Sequence, residues 1–187
     1  LKNNDESVCG RKAWLEAALK TLSNEGVDNV RVERLARDLG VTKGSFYWHF
    51  KNRNDLLEQI IYYWSDEMTA LVFEKVAHLE VDPKAKILAL LEEITLKRRG
   101  KFDPPIRSWS KNDKAVAKAV RKVDGQRLAF LAGLFSQAGF NTTDADIRSQ
   151  LLYGYMIGES SVLHHVDKKH ELDKLQSMLK VITAKPA

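Results

Sequence analysis

Residues 35–50 read Leu35-Ala36-Arg37-Asp38-Leu39-Gly40-Val41-Thr42-Lys43-Gly44-Ser45-Phe46-Tyr47-Trp48-His49-Phe50, two short helical patterns separated by a glycine. Ala36 is small where the two helices must approach closely, Gly40 permits the backbone angles of the turn, and Val41 and Phe46 are placed to plug the wedge between them. This is helix-turn-helix spacing. Thr42 is expected to cap the second helix, leaving its unpaired N–H groups facing outward toward an anion. The outward face then offers Lys43, Gly44, Ser45 and Trp48, with Tyr47 and His49 near its end. Gly44 lets the helix approach base edges, to which Lys43 and Ser45 can hydrogen-bond. Tyr47, His49 and Lys51 suit phosphate oxygens, which fix register without reading sequence. Phe46 and Phe50 read as core, whereas three consecutive large polar-tipped residues, Tyr47, Trp48 and His49, cannot all point inward.

The charge around this stretch agrees. Between residues 29 and 53 lie six cations (Arg31, Arg34, Arg37, Lys43, Lys51 and Arg53) against two acids (Glu33 and Asp38), an excess of four in a chain whose net charge is +5. Such clustering is the footprint of a phosphate-contacting surface. Upstream, Trp14, Leu15, Ala18, Leu19 and Leu22 share one face of a helix over Arg11 to Glu25 that Gly26 should stop in the left-handed conformation. Val32, Leu35, Ala36 and Leu39 mark a second helix ending at Gly40.

At Leu39-Gly40-Val41-Thr42-Lys43-Gly44-Ser45-Phe46-Tyr47-Trp48-His49-Phe50, followed by Lys51, Arg53, Leu56 and Leu57, the chain resembles the DNA-binding domain of the TetR family of bacterial regulators. The resemblance covers about residues 11 to 57; beyond them only the helical layout is similar. It implies a homodimer whose two heads occupy successive major grooves of palindromic, double-stranded operator DNA, and a C-terminal domain that binds a small-molecule effector and lowers operator affinity. By position, Thr42, Lys43, Ser45, Tyr47, Trp48, His49 and Lys51 become DNA contacts. Arg31 stands where the family commonly has Thr or Ser capping the second helix, and its guanidinium could reach a phosphate instead. Arg53 replaces the more usual lysine and keeps the charge.

Past Phe50 the apolar residues recur at three- and four-residue spacing over long stretches without a breaker, which predicts an all-α protein. A long helix over Arg53 to Leu79 carries the stripe Leu56, Leu57, Ile60, Trp64, Met68, Leu71 and Val72. Pro83 opens a helix running to Gly100, whose end is marked by Lys97, Arg98 and Arg99. Asp103 is expected to cap a short helix begun by Pro104 and Pro105 and ending at Trp109. Further helices are predicted over Asp113 to Ala138, closed by Gly139, over Thr143 to about Val166, and over His170 to Ile182. Residues 1–52, with 1–10 a disordered leader, are read as the DNA-binding domain, and 53–187 as a helical ligand-binding and dimerisation domain.

In that second domain Trp64, Met68, Phe73, Trp109, Phe130, Phe135, Tyr153 and Met156 are the candidates for an apolar pocket. Trp64, Met68, Trp109, Phe130, Tyr153 and Met156 are taken as its lining, with Arg107, Glu159 and His164 able to orient a polar group. Gly154 and Gly158 lie four apart, and Ser161 and Val162 continue their face. With the seam of Leu172, Leu175, Met178, Leu179 and Ile182, they suit a four-helix interface between two subunits. A module that dimerises without an effector, or an activator in place of a repressor, are the alternatives.

Other classes find little support. The composition, 44% hydrophobic and 29% charged, is that of an ordinary globular protein. No apolar run approaches the ~20 residues that span a bilayer, and Leu1 to Gly10 is too polar for a signal-peptide core; a cytoplasmic protein without membrane contact is expected. The sequence opens on Leu1 and not Met, as in a processed or trimmed chain. Cys9 alone can form neither an internal disulfide nor a thiolate cluster. His164 and His165 face two sides of a helix and, with His170 and Glu171, lack the spacing of a zinc motif, so no metal or cofactor is expected. Nucleophile elbows and phosphate-cradling glycine loops are missing too, which argues against an enzyme.

Overall fold

The computed structural model describes residues 10–97, 99–161 and 168–184. Among them there are helices and no strands: α1 (Arg11–Glu25), α2 (Val32–Asp38), α3 (Lys43–Phe46), α4 (Arg53–Tyr62), a π-helical turn (Tyr63–Met68), α5 (Thr69–Ala77), α6 (Pro83–Thr95), a 3-10 turn (Arg99–Phe102), α7 (Asp103–Ser110), α8 (Lys114–Gln137), α9 (Thr142–Ser161) and α10 (Lys168–Ile182). The leader through Cys9 and the pair His164 and His165 lie outside the described residues.

Two helix ends are set by glycine in the same way. After α2, Gly40 takes φ 69°, its N–H bonds the Arg37 carbonyl and the Val41 N–H bonds the Ala36 carbonyl at 2.9 Å. After α8, Gly139 takes φ 90° and the Phe140 N–H reaches the Phe135 carbonyl. Both are Schellman closures, in which a residue with positive φ folds two later N–H groups back onto the last carbonyls. Gly26 differs from expectation: its φ is 85° but its ψ is 169°, so the chain leaves α1 extended.

The apolar faces close into two cores. The first unites Trp14, Leu15, Ala18, Leu19 and Leu22 of α1, Leu35 and Ala36 of α2, Phe46, Phe50, and Leu56, Ile60 and Trp64 with Phe102, Ile106, Val116, Val120 and Val123 from α7, α8 and their approach. The helix-turn-helix therefore shares its core with the base of the C-terminal helices. The second core joins Val72 and Val76 of α5, α6, the later part of α8, and α9 to Leu175 and Ile182 of α10.

Several predicted boundaries are corrected. The helix from Arg53 ends at Ala77 and contains the π turn, which leaves Leu71 56% exposed. The helix from Pro83 stops at Thr95; Lys97 instead reaches back to Glu93 at 2.6 Å. Asp103 is the first residue of α7 and not its cap. Its carboxylate is buried against Arg127. Asp113 does cap α8 as expected, accepting from the N–H groups of Ala115 and Val116.

Arg53 has a role that its charge alone does not reveal. From the start of α4 its guanidinium donates to the carbonyls of Val30 and Val27, both at 2.6 Å, and so pins the link between α1 and α2. Hydrogen bonds from charged donors contribute roughly 1.5–3 kcal/mol each and strand their acceptors when removed. Arg53→Met is expected to lower the unfolding free energy by about 2–3 kcal/mol in urea denaturation with an unchanged slope; an unshifted midpoint would contradict this role.

Candidate nucleic-acid interface and effector cavity

Phe46 is the pivot of the head. It is fully buried, edge-on to Trp14 at 5.3 Å and stacked on Phe50 at 5.3 Å. With Phe46 and Phe50 held inside, the residues between them are forced outward: Trp48 is 80% exposed and Tyr47 56%, while His49 is half-buried against Phe50. Thr42, Lys43 and Gly44 are exposed, Ser45 is half-buried, and Arg31 and Lys51 are exposed. All nine residues named from the sequence as DNA contacts thus remain accessible.

Two local expectations change. Thr42 occupies the cap position of α3 by backbone, but its side chain accepts no capping bond; the Ser45 hydroxyl donates to the Thr42 carbonyl at 2.8 Å instead. The second helix is also short, one α-turn followed by i to i+3 bonds from the Tyr47, Trp48 and His49 amides. Arg31 likewise begins α2 without a side-chain cap and donates to the Asp28 carbonyl at 3.3 Å.

The cations of this region divide in their use. Arg34 is held by Glu25 and Asp38, and Arg53 by carbonyls. Lys43 meets Glu33 at 2.5 Å, a pairing between two exposed side chains that a phosphate can readily replace. Lys51 shows no side-chain partner among the described residues. The sequence reading missed Glu33, which only the packing of α2 against α3 brings to Lys43.

A cavity opens between α5, α6, α8 and α9. Its void is about 680 Å³ with the mouth included. Of the expected lining residues, Trp64, Met68, Tyr153 and Met156 are there, with Thr69, Val72, Phe73, Leu90, Ile94, Asp103, Arg127, Leu131 and Ile157. Phe130 stands one layer behind, stacked on Phe73 at 4.2 Å. Trp109 is corrected: it packs on the first core, beside a separate surface groove with Leu57 and Ile61. Phe135 is plain core.

One wall of the cavity is polar. Arg127 donates to Asp103 at 2.6 Å and lies over the Trp64 ring at 5.4 Å. Behind them Arg107 clasps Asp124 with two donors, and Tyr153 donates to Asp124 at 2.7 Å while accepting from Arg107 at 2.9 Å. Burial pushes the Asp103 carboxyl above its ordinary range despite Arg127. Burial also acts to raise Asp124, but the bonds from Arg107 and Tyr153 win and hold it below. The two terminal nitrogens of Arg107 are therefore occupied within the protein, while its buried Nε–H has no hydrogen-bond partner, and Glu159 pairs with Lys174 at 2.6 Å.

On the outer side of α9, Ile147, Leu151, Gly154 and Gly158 follow one another at helical spacing. Ile147 and Leu151 are 51% and 61% exposed, and a Cβ added at either glycine would meet open space. On α10, Leu172 and Val181 are exposed. Leu175, expected on the intersubunit seam, is corrected to the protomer's own core at 1% exposure, and Met178 packs partly against that core. The Ser161 side chain and Val162 lie outside the described residues.

Comparison with known proteins agrees with this layout. Residues 15–60 match the profile of the bacterial regulatory proteins of the tetR family. The HTH-type transcriptional regulator AcrR of Shigella flexneri is 33% identical over 95 residues, 51% of this chain and 42% of that protein. The class C tetracycline repressor protein of Escherichia coli is 40% identical over 50 residues, 27% of this chain and 23% of the repressor. The chain thus spans less than half the length of these curated relatives. Among solved structures, the reduced form of E. coli NemR superposes with a TM-score of 0.73 at 17% identity, covering 95% of this chain and 99% of that one. A regulator from Saccharomonospora viridis in complex with choline gives 0.72 at 16% identity, covering 91% and 93%. At such identities the structures share the fold.

The polar wall has a signature in alkali. Burial first, eased by Arg127 and reinforced by the bond to Asp124, pushes the Tyr153 hydroxyl up to about 12 from 10.0. A raised folded-state value means that the neutral phenol stabilises the fold below pH 10.0 and that this contribution is lost as pH rises through about 12. In a spectrophotometric titration the Tyr153 phenol should ionise as a late component near that value, together with unfolding, while Tyr155, which burial also raises, is delayed less. Tyr153→Phe should abolish the late component, and a titration curve unchanged by the substitution would show that this hydroxyl is not held as described.

Proposed function

We propose, from the match of residues 15–60 to the tetR family of bacterial regulatory proteins and the likeness to AcrR, that this chain is a TetR-family regulator, a dimeric repressor that grips palindromic operator DNA and is released by a small, largely apolar effector. The observation that carries this reading is the head itself: Tyr47 and Trp48 stand exposed beside Lys43 on a base locked by buried Phe46 and Phe50. Exposing two large aromatic rings in water has no benefit within the monomer, whereas in a major groove they meet sugar, phosphate and base methyl groups.

Residues 1–52 form the DNA-contacting part and 53–187 the effector and dimer part. Lys43 and Ser45 read base edges; Arg31, Thr42, Tyr47, His49 and Lys51 hold phosphates, and Trp48 packs along the groove wall. Gly44 is informative because a Cβ there would touch only the Thr42 hydroxyl, at an ordinary 3.6 Å. Alanine would suit the folded protein, since glycine in a helix costs about 1 kcal/mol relative to alanine. The bare backbone is therefore best explained by the approach of a partner. The same reasoning supports the second copy of the chain seated on Ile147, Leu151, Gly154 and Gly158.

The cavity supports the effector. Trp64 belongs both to its wall and to the core under the head. Asp103 lines it at the first turn of α7, while Phe102 and Ile106 on either side belong to that same core. A molecule that spreads these residues moves the floor on which α1 rests, and with it the spacing of two heads.

On operator fragments selected by the purified protein, Lys43→Ala and Tyr47→Ala should each weaken binding roughly tenfold or more, and Lys43→Ala should also reduce the slope of log affinity against log salt by about one. Gly44→Ala should keep or raise thermal stability and still weaken binding. Unchanged operator affinity in all three variants would remove the assigned reading head. Leu151→Glu, which places a charge on the outer face of α9, is expected to run as a monomer in sedimentation and to lose tight operator binding; a variant that stays dimeric would move the interface elsewhere.

A further inference from the structure

Lys43 does not stand alone on the head. Its ammonium lies 2.5 Å from a carboxylate oxygen of Glu33, and both side chains are exposed, so α2 and α3 present a cation and an anion to solvent side by side. Glu25 and Asp38, the acids nearest to them in the packing of α1 and α2, are spent on Arg34. Glu33 differs in that its partner belongs to the reading surface. The bond from Lys43 holds the Glu33 carboxyl below the usual carboxylate range. At neutral pH the group is charged and can only accept hydrogen bonds.

A carboxylate brought to a duplex is repelled by the phosphates around it whatever the base sequence. It lowers affinity for all duplexes alike unless a donor on a base edge meets it. The major groove offers two such donors, the amino groups of cytosine N4 and adenine N6. Adenine sets the N7 acceptor beside its amino group, an arrangement that suits an amide side chain and repels a carboxylate. Cytosine shows the donor alone, and its partner guanine shows only the acceptors O6 and N7, which suit lysine. In G·C, therefore, the two bases carry single and opposite character. A cation and an anion held in contact match that pair in sign, group for group.

Resting on the operator reading above, we infer that Glu33 is a specificity-determining residue of the head, which with Lys43 reads one G·C base pair in each half-site: Lys43 donates to the guanine, and Glu33 accepts from the cytosine amino group. Free of DNA, the two side chains satisfy each other. On the operator the base pair takes up both. Opposite A·T the carboxylate finds an acceptor or a methyl group beside any donor, and the cost of bringing its charge among phosphates goes uncompensated.

Duplexes with randomised half-sites, selected by the unaltered protein and by Glu33→Gln, Glu33→Ala and Lys43→Ala, test this through the recovered sequences and through titration of single duplexes. Glu33 and Lys43 are exposed, and thermal melting verifies that the variants fold. The unaltered protein should prefer G·C at one position of each half-site, with A·T there bound roughly tenfold more weakly. Glu33→Gln, whose amide both donates and accepts, should move the preference at that position toward A·T and leave the others unchanged. Glu33→Ala should flatten the preference there, and Lys43→Ala should relax the same base pair while weakening binding as a whole. The inference is overturned if both Glu33 variants select the same motif as the unaltered protein, if Glu33→Gln strengthens every duplex by one common factor as loss of a mere repulsion would, or if Lys43→Ala relaxes a different position. An unaltered protein that selects no motif would remove the operator reading and the role of Glu33 together; a sharp motif indifferent to Glu33 removes that role alone.

Discussion

The head of this protein has no hydrophobic core of its own. Trp14, Phe46 and Phe50 close over Leu56, Ile60 and Trp64, and that cluster continues without interruption into Ile106, Val116, Val120 and Val123. A unit of some fifty residues buries too little surface to be secure alone, and here the shortfall is met by α7 and α8. The orientation of α2 and α3 is consequently not set within the helix-turn-helix but by the helices on which α1 lies. Pinning contacts point the same way: Arg53 reaches from α4 to the carbonyls between α1 and α2, and Ser23 of α1 donates to the Lys101 carbonyl before α7.

That arrangement makes the polar cluster of α7, α8 and α9 more than a stabilising device. Two arginines and two aspartates meet with Tyr153 in a compact group, Arg127 with Asp103 and Arg107 with Asp124. Buried ion pairs of this kind add little net stability compared with apolar packing, yet they punish misplacement severely. They fix the relative positions of α7, α8 and α9. Asp103 belongs both to this group and to the cavity lining, so this side of the cavity is built on an element with few alternative positions.

Much of this was legible in the sequence. The helix-turn-helix could be read because its signals are local: Gly40 for a turn, Phe46 and Phe50 four apart, and polar-tipped residues between them. Helix ends marked by Gly139 and Asp113 were legible for the same reason. The cavity was only half legible. Trp64, Met68, Tyr153 and Met156 line it, but aromatic composition cannot separate lining from core, and so Trp109 and Phe130 fall elsewhere. Long-range pairings left no signal at all. Nothing near Arg53 indicates the carbonyls of Val27 and Val30, and Glu33 and Lys43 are ten residues apart on different helices. Leu175 misled because a helix with two apolar sides, one toward its own chain, shows a single seam in sequence.

The π turn shows how one local irregularity links these levels. A regular helix from Arg53 would carry Trp64, Met68, Leu71 and Val72 on one stripe. The wider turn over Tyr63–Met68 inserts one extra residue, so the inward face continues instead through Thr69, Val72, Phe73 and Val76 and Leu71 rotates into solvent. The Thr69 hydroxyl reaches the Trp64 carbonyl five residues back, and Asp66, lowered chiefly by its bond from Lys122, ties the turn to α8 at 2.5 Å. Such turns are poorer in hydrogen bonding than a regular helix and persist where function keeps them. Here the gain is positional: the irregularity sets Trp64 against the head core on one side and the cavity on the other, while Met68 and Thr69 complete the wall. With a regular helix the phase of α5 against α4 would change by about a residue, and the indole could not serve both cores at once.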